Sequence, residues 1–257
     1  MARSAAILVL ALLLCISNVR PQEVEDESEF TYVEGDERGP EHWGELNQNW
    51  SACGNGQNQS PIDIVTQDAT VYPDLGGLRR IYHPANATLI NRGHDIMINW
   101  STGGGSIEIE GKRYRLNQGH WHTPAEHTID GRRYPLEMHL VHESEDSKIV
   151  VVSILYTYGR PDPFLAELRE EIASITDEQP AEEALGLIDA NHIQIGSRKY
   201  YRYIGSLTTP PCTEGVTWYI VRKVRTVSRE QVRALHVAIH DEHEKNARPI
   251  QSTNGRI

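Results

Sequence analysis

The segment Gln118-Gly-His-Trp-His-Thr-Pro-Ala-Glu-His-Thr128, continued by Leu136-Glu-Met-His-Leu-Val-His142, brings several histidines close together in the sequence. Side chains alternate between the two faces of an extended strand, so His120 and His122 point to the same face, roughly 7 Å apart. His139 lies on the next strand, and neighbouring antiparallel strands are about 4.8 Å apart. The three imidazoles could therefore meet at one ion, as in catalytic zinc sites with three protein ligands and one open position.

A His-x-His pair alone is a weak indication of a metal, because paired exposed histidines on a strand often bind nothing. Two polar neighbours strengthen the metal interpretation here. Gln118 lies two residues before His120, and Glu137 has the same relation to His139. A ligating imidazole usually donates its second N–H to a carboxylate, amide or carbonyl, which selects its tautomer. Burying a polar residue in a strand costs free energy unless the residue forms a hydrogen bond or binds a metal. The sequence therefore predicts a zinc site.

The pattern around this segment is that of one mainly β domain with peripheral helices. Alternating or fully apolar runs predict strands over residues 88–90, 94–100, 106–109, 114–122, 135–142, 148–158, 200–204 and 216–221. Apolar residues at helical spacing and start signals predict helices over 162–175, 181–187 and 228–239. The helix at 228 begins with a capping box, Ser228-Arg-Glu-Gln231. We find neither an internal repeat nor a linker after residue 39.

The N-terminus has the features of a secretory signal peptide over residues 1–17, with cleavage expected between residues 17 and 22. A basic start is followed by an apolar run, 5–16, that is too short for a stable membrane anchor. An uncleaved N-terminal anchor is the less favoured alternative. Residues 18–29 are acidic, poor in aliphatic side chains and expected to be flexible. Residues 30–257 then form the folded domain.

The cysteines and glycosylation sequons also indicate export. Cys15 would leave with the signal peptide, and the remaining pair, Cys53 and Cys212, suggests one disulfide in an exported protein. Such a bond would close a loop of about 160 residues and contribute roughly 4–5 kcal/mol in the chain-entropy model. Sequons at Asn49, Asn86 and Asn99 predict glycosylation. Whether the protein stays outside the cell or reaches a plastid is left open.

Charge and missing motifs exclude several function classes. The chain of 257 residues carries a formal net charge of −11, which argues against nucleic acid or an anionic membrane as a partner. The sequence contains no Gly-rich phosphate loop, no G-x-S-x-G and no HExxH, so nucleotide binding, serine hydrolysis and zincin proteolysis lack support. Oligomeric state is left open.

Five motifs together resemble the α-type carbonic anhydrases, the plant branch most of all. They are Ser60-Pro-Ile-Asp-Ile64, Gly119-His-Trp-His122, Glu126-His127, Glu137-Met-His-Leu-Val-His142 and Ser206-Leu-Thr-Thr-Pro-Pro211. The resemblance extends over about residues 30–251. It implies a single domain with a central, twisted, largely antiparallel sheet of about ten strands and zinc at the bottom of a cone-shaped cleft.

The resemblance implies roles for the residues around the zinc. His120, His122 and His139 would be the ligands, with Gln118, Glu137 and the Asn246 carbonyl as their hydrogen-bond partners. Thr208 would accept a hydrogen bond from zinc hydroxide and donate one to Glu126, and Thr209 would lie beside the substrate. An apolar wall for carbon dioxide is expected from Val141, Val151, Leu207, Val216 and Trp218. The Cys53–Cys212 disulfide would hold the Thr208 loop.

The implied activity is the reversible hydration of carbon dioxide to bicarbonate and a proton by zinc-bound hydroxide. His94 matches the position of the family's proton shuttle, and imidazole titrates in the range that this role needs. Arg92 and Met97 depart from the polar residues that line the cleft in familiar members, so they put the speed of proton transfer in doubt. The rival functions are a storage or binding protein on the same fold, with weak or no activity, and a zinc-dependent esterase.

Overall fold

One large mixed sheet organises the chain, and the computed structural model describes residues 29–100, 103–175, 181–239 and 245–256. The expected signal peptide and residues 18–28 of the acidic segment lie outside the described residues, so those predictions stay untested. In the described part of the chain, no helix is long and apolar enough to cross a membrane.

The described residues contain fourteen strands. In chain order they are β1 (Asp63–Ile64), β2 (Arg79–Tyr82), β3 (Ala85–Asn91), β4 (Ile96–Asn99), β5 (Gly105–Ile109), β6 (Lys112–His122), β7 (Thr128–Ile129), β8 (Arg132–Arg133), β9 (Leu136–Glu143), β10 (Ile149–Tyr158), β11 (Ala181–Ile188), β12 (Tyr200–Ser206), β13 (Glu214–Val221) and β14 (Arg225–Val227).

Eleven of the described strands form one sheet, in the order β11-β3-β4-β6-β9-β10-β13-β12, with β5 on β6, β2 on β5 and β14 on β10. Most neighbours are antiparallel, whereas β10 runs parallel to both β13 and β14. Strands β1, β7 and β8 form a small separate sheet. The prediction of a mainly β fold with a large, largely antiparallel sheet is confirmed.

Strand β10 is the centre of the sheet. Its residues from Ile149 to Tyr156 are all buried, with β9 on one side and β13 on the other. A strand that is covered on both faces reads as a continuous apolar run rather than as an alternating one. The prediction of a central strand over 148–158 is therefore confirmed.

The helices are short and lie at the periphery: α1 (Trp43–Leu46), α2 (Ala52–Asn55), α3 (Pro163–Glu167), α4 (Arg169–Ser174) and α5 (Arg229–Ala238). The helix predicted over 162–175 is divided at Leu168 into α3 and α4. At α5 the predicted capping box is present. The Ser228 hydroxyl accepts from the Gln231 N–H at 3.2 Å, and the Gln231 side chain accepts from the Ser228 N–H at 3.2 Å.

The helix predicted over 181–187 is wrong, because these residues form the edge strand β11. The segment Ala181-Glu-Glu-Ala-Leu185 has a high helix propensity, but its backbone pairs with β3 in antiparallel register. Pairing with an open sheet edge outweighs the few tenths of a kcal/mol per residue that separate local propensities. Gly186, with φ +68°, lies at the register shift in this strand and was the available signal against a helix.

Alternation along β6 places the histidines on one face of the sheet. Trp121 packs into the larger core cluster, together with Met138 and Phe164. Its neighbours His120 and His122 must face the other side, where the smaller cluster around Val151 lies. The sheet therefore separates the main core from the face that carries the predicted site.

Candidate metal centre

The structure brings the three predicted ligands together through the pairing of β6 with β9. His120 and His139 are directly opposite in register, which puts their ring centroids 5.1 Å apart. His122 lies 4.6 Å from His139 by the same measure. One nitrogen from each ring lies within 4.8 Å of the others. All three side chains are at most 2% exposed, so they converge inside the protein rather than on its surface.

Each of the three rings makes a hydrogen bond through one of its nitrogens. The other nitrogen of each ring is directed to the point where the three rings meet. Nδ1 of His120 is 2.8 Å from the Gln118 side-chain oxygen. Nδ1 of His122 donates to a backbone carbonyl at 2.6 Å. Nε2 of His139 is 2.8 Å from the Glu137 carboxylate. The other ring nitrogens are Nε2 of His120, Nε2 of His122 and Nδ1 of His139, and each can act as a neutral donor to a metal.

This donor set fits zinc. Neutral imidazole nitrogens are preferred zinc ligands, and three of them with an open fourth position define a catalytic rather than a structural site. The hydrogen bonds to Gln118, Glu137 and a backbone carbonyl already select the tautomers that a metal requires. We therefore treat His120, His122 and His139 as a candidate zinc site.

Glu137 connects the candidate site to a buried polar network. Its Oε1 accepts from Nε2 of His139 (2.8 Å), Nδ1 of His127 (2.7 Å) and the Ser153 hydroxyl (2.6 Å). Burial alone would raise the pKa of Glu137, but His127 and His139 outweigh it and hold that pKa well below its usual range. The carboxylate is therefore ionised, which suits a partner that must hold an imidazole N–H.

Two residues that the sequence analysis did not assign extend this network. The Tyr203 hydroxyl lies 2.7 Å from Nε2 of His127 and 2.8 Å from the Ser60 hydroxyl. All three side chains are buried. The chain of contacts from Ser60 to His139 thus fixes one metal-facing ring through groups far apart in the sequence. Ser60, His127, Glu137 and His139 lie in the motifs quoted from the sequence, whereas Tyr203 lies in none of them.

Asn246 does more than the predicted carbonyl contact. Its backbone carbonyl accepts from His122, as expected. Its side-chain oxygen also accepts from the Thr123 N–H at 2.7 Å. The side-chain amide donates to the carbonyls of His94 (2.9 Å) and Trp121 (3.0 Å). One buried asparagine therefore ties the end of β6 to the segment before β4.

Glu126 is a second buried carboxylate at the site, and its state differs from that of Glu137. One oxygen lies 3.6 Å from Nε2 of His122 and 4.0 Å from Nδ1 of His139. Burial raises the pKa of Glu126 to about 7, although His139, the Thr208 hydroxyl and the Arg248 backbone N–H all lower it. Without a metal, this carboxyl group therefore titrates near neutral pH.

Arg248, which sequence reasoning missed, holds Glu126 in place. Its backbone N–H donates to Oε1 of Glu126 at 2.9 Å. Its guanidinium donates to the Gln59 side chain and the Ser60 carbonyl, both at 2.8 Å, and to the Cys53 carbonyl at 2.9 Å. With 1% exposure, Arg248 links the C-terminal segment to the disulfide loop. A basic residue beside Asn246 gives no local sequence signal for such a role.

His94 is buried and lies just before β4, the strand that the sequence predicts to begin at residue 94. The side chain is 3% exposed, and its ring centroid lies 5.3 Å from that of Phe30. Its Nε2 is 3.8 Å from the Asp95 carboxylate, which is paired with the Arg92 guanidinium. Strand β4 begins only at Ile96, so His94 belongs to the connection before it.

The predicted carbon dioxide wall is one contiguous apolar surface. Val151, Leu207, Val216 and Trp218 belong to the same buried cluster, with Val141 partly buried against it. Val151 pairs with Val141 across β9 and with Trp218 across β13, so the central strand holds this surface together. The indole of Trp218 lies 4.8 Å from the His139 ring, which joins the wall to the metal site. Thr208 and Thr209 are each 2% exposed.

The predicted disulfide is present between Cys53 and Cys212, 159 residues apart. It lies in a third small cluster with Phe30, Tyr32 and Trp43. Asn49 and Asn86 have exposed side chains, whereas Asn99 is half-buried. Glycosylation at these three asparagines stays a prediction.

A large mixed sheet with a buried three-histidine site on one face is the architecture of α-type carbonic anhydrases. The family model for eukaryotic-type carbonic anhydrases matches residues 38–257. Alpha carbonic anhydrase 7 of Arabidopsis thaliana is 55% identical over 235 residues, covering 91% of this chain and 86% of that protein. The chain therefore belongs to the α carbonic anhydrase family, in its plant branch.

Solved structures agree with this assignment. The crystal structure of dioscorin complexed with ascorbate has a TM-score of 0.86 and 45% identity, covering 89% of this chain and 95% of that one. The α-carbonic anhydrase from Thermovibrio ammonificans in complex with sulfanilamide has a TM-score of 0.78 and 35% identity, covering 88% and 96%. This chain is thus similar both to a carbonic anhydrase and to a dioscorin.

Proposed function

We propose that this protein is a zinc-dependent carbonic anhydrase that converts carbon dioxide and water reversibly into bicarbonate and a proton. The observation that best supports this proposal is that His120, His122 and His139 each direct one ring nitrogen to a common point. The other nitrogen of each ring makes a hydrogen bond that fixes the orientation of the ring. His120, His122 and His139 would hold the zinc ion, which would activate water as a nucleophile at neutral pH, a property for which carbonic anhydrases themselves are the reference example.

Glu126 and Thr208 orient the attacking group. The Glu126 carboxylate is anchored by the Arg248 backbone N–H at 2.9 Å, and it interacts with the Thr208 hydroxyl. Because that hydroxyl donates a hydrogen bond to Glu126, its oxygen must act as the acceptor for the nucleophile. The pair therefore selects an O–H that points to Thr208 and leaves a lone pair directed at the substrate.

Carbon dioxide is apolar and lacks a hydrogen-bond donor, so an apolar wall suits it. We assign this role to Val141, Val151, Leu207, Val216 and Trp218, with Thr209 at the polar edge of the substrate site. The wall joins the histidines through the contact of Trp218 with His139. Carbon dioxide held there would lie beside the nucleophile, and bicarbonate, being charged, would be released to water.

We assign proton transfer to His94. Its burial under Phe30 means that protons must reach the ring through ordered water or through movement of the N-terminal segment. Replacing His94 by alanine is expected to slow turnover, and added imidazole buffer is expected to restore it. An unchanged rate without added buffer would remove His94 from the pathway.

The proposed function is tested by metal analysis and stopped-flow hydration of carbon dioxide on the wild type and on His120→Asn. The wild type is expected to contain zinc, one ion per chain, and to hydrate carbon dioxide. The variant is expected to lose both properties. His83→Asn is the matched control, because His83 is exposed and lies outside the site. A zinc-free wild type, or equal rates for wild type and His120→Asn, would overturn the proposal.

A storage or binding protein on the same fold is the second candidate, because the chain is also similar to dioscorin. Zinc-loaded protein that folds normally but does not accelerate hydration would favour this alternative. Faster turnover of an aryl ester than of carbon dioxide would instead favour an esterase. The presence of the three histidines, Glu126 and Thr208 supports the carbonic anhydrase.

We propose that the protein works in an exported or lumenal compartment, which the Cys53–Cys212 disulfide suits. Expression of the full chain in plant cells tests this. A mature N-terminus between residues 17 and 22 and a mass decrease after glycosidase treatment are expected. A mature protein that keeps residue 1 would contradict export by signal cleavage, and cell fractionation would separate the extracellular space from the plastid.

A further inference from the structure

A cavity of about 340 Å³ lies away from the three histidines, at the sheet edge formed by β2 and the segment before β12. Its walls come from Leu78 and Arg80 at β2, from residues 195–198 and Tyr200, and from Val221 at the end of β13. None of the residues assigned to the metal site lines it. Its volume is in the range typical of small-molecule sites, about 300–1,000 Å³.

The cavity is cationic in a protein that is acidic as a whole. Two guanidinium groups, those of Arg80 and Arg198, line it, and none of its lining residues is a carboxylate. Two further cations flank the same loop. A Cβ atom on Gly196 would lie 3.1 Å from Nη1 of Arg225 and 3.4 Å from Cδ of Lys223. Two basic side chains therefore line the opening and two more lie beside Gly196, although the whole chain has a net charge of −11.

The basic groups are only partly used within the protein. Arg80 donates one guanidinium N–H, from Nη1, to the Ile193 carbonyl at 3.3 Å, which leaves Nη2 and Nε for another acceptor. Among the described residues, Arg198 makes neither a side-chain hydrogen bond nor an ion pair. Arg225 donates to the Gln194 side chain, which is neutral. Arg225 also attracts the Asp162 carboxylate, which opposes the rise that burial causes in the pKa of Asp162. The two guanidinium groups that line the cavity, Arg80 and Arg198, form no ion pair among the described residues.

Carboxylates near this edge do not change that conclusion. Glu108 is paired with Arg79 at 3.0 Å, so its charge is compensated. The pKa of Tyr200 is raised, mainly by burial, with Glu110 adding to the rise and Arg202 opposing it. Neither glutamate lines the cavity.

Apolar side chains form part of the cavity lining. Ile195 and Val221 belong to the larger core cluster, and Leu78 and Tyr200 pack against it. The Tyr200 hydroxyl donates to the Gly76 carbonyl at 3.0 Å, which fixes the ring at the side of the opening. A ligand that fits must therefore combine an anionic group with a compact apolar body. Guanidinium groups bind carboxylate and phosphate oxygens through paired N–H donors.

We propose that this cavity binds a small organic anion, a carboxylate or phosphate monoester whose apolar part packs on Tyr200 and Leu78 while Arg80 and Arg198 hold the anionic group. This site is independent of the proposed zinc chemistry, because it shares no residue with it. Its ligand would associate more weakly as salt concentration rises, since part of the attraction is between exposed charges.

The test is isothermal titration of the zinc-loaded, full mature protein with phenyl phosphate. Arg80→Gln and Arg198→Gln are each expected to weaken binding by about tenfold or more, since a hydrogen bond to a charged group contributes about 1.5–3 kcal/mol. Arg169→Gln, an exposed arginine on α4, is the matched control and is expected to bind as the wild type does. Phenol is expected to bind far more weakly than phenyl phosphate.

His120→Asn separates this site from the metal site, because anions can also bind to a zinc ion. Phenyl phosphate binding that persists in His120→Asn and is lost in the Arg80→Gln/Arg198→Gln double variant supports the proposal. Binding lost in His120→Asn but unchanged in the double variant would place the anion at the metal and overturn it. Binding of a polyanion such as heparin, with none of phenyl phosphate, would also overturn it.

Discussion

Replacing Glu126 by glutamine measures how much this buried carboxyl group lowers the free energy of unfolding of the zinc-free protein. Glu126 is 0% exposed, and burial raises its pKa from 4.5 to about 7 against the opposing effects of His139, Thr208 and Arg248. The unfolded chain releases this proton near pH 4.5, whereas the folded chain keeps it until about pH 7. The stability from this group is therefore fully present below pH 4.5 and is lost as pH rises through 7.

The magnitude follows from the two pKa values. A difference between 4.5 and about 7 lowers the free energy of unfolding by about 3 kcal/mol at pH 8. Part of this loss, about 1 kcal/mol, has already occurred at pH 5 because the unfolded chain is then mostly ionised. Glutamine cannot ionise, so Glu126→Gln is expected to gain about 2 kcal/mol relative to the wild type between pH 5 and pH 8.

Urea unfolding of chelator-treated protein, followed by tryptophan fluorescence, measures this difference. Trp218 and Trp121 lie near the site and are both buried, so their emission reports on unfolding. Glu145→Gln, an exposed glutamate on the loop after β9, is the control and is expected to change little. Taking the difference between variant and wild type cancels the titration of the histidines that do not interact with Glu126. A difference that is the same at pH 5 and pH 8 would refute the reasoning.

Three further substitutions test the structure around the site. Cys53→Ser is expected to lower the free energy of unfolding by about 4–5 kcal/mol, because the lost bond closes a loop spanning 159 residues. Urea titration under non-reducing conditions measures this loss. An unchanged unfolding midpoint would contradict the prediction. Tyr203→Phe removes the hydroxyl shared by His127 and Ser60 and is expected to cost about 1–3 kcal/mol, whereas stability equal to wild type would show that the network is dispensable. Gly205→Ala would put a Cβ atom 2.1 Å from the Ser60 hydroxyl and is expected to lower the free energy of unfolding by about 1–3 kcal/mol. Gly77→Ala is the control, because Gly77 has open space around it. Equal melting temperatures for the two variants would argue against crowding at Gly205.

The three-histidine site could be predicted from the sequence because its determinants are local. Strand alternation puts His120 and His122 on one face, and the short connection between β6 and β9 makes these strands neighbours. Gln118 and Glu137 are two residues from the rings that they contact. The apolar run of β10 likewise identified the central strand. In each case, the interacting groups lie within one strand or one strand pair.

The rest of the site depends on contacts between distant parts of the chain. Arg248 reaches Glu126 across 122 residues, and Asn246 reaches His94 across 152. Burial of His94 depends on Phe30, which no local pattern around His94 reveals. Strand β11 is a strand only because the edge of β3 is available to it. A single sequence encodes these pairings only through the whole fold, and the resemblance to a family recovered only some of them.

The Glu126 carboxyl group destabilises the zinc-free protein, but it is expected to raise the affinity of the protein for zinc. One of its oxygens lies 3.6 Å from Nε2 of His122 and 4.0 Å from Nδ1 of His139. These are two of the three nitrogens that would face the metal. A divalent cation bound by these rings favours the ionised carboxylate, so zinc binding would lower the pKa of Glu126. Coupling between the two sites is reciprocal, and the negative charge must therefore raise zinc affinity by the same free energy. Glu126→Gln should consequently be more stable than the wild type without zinc and lose that advantage when zinc is added. An advantage at pH 8 that is equally large with and without zinc would show that the charge of Glu126 is not coupled to the metal.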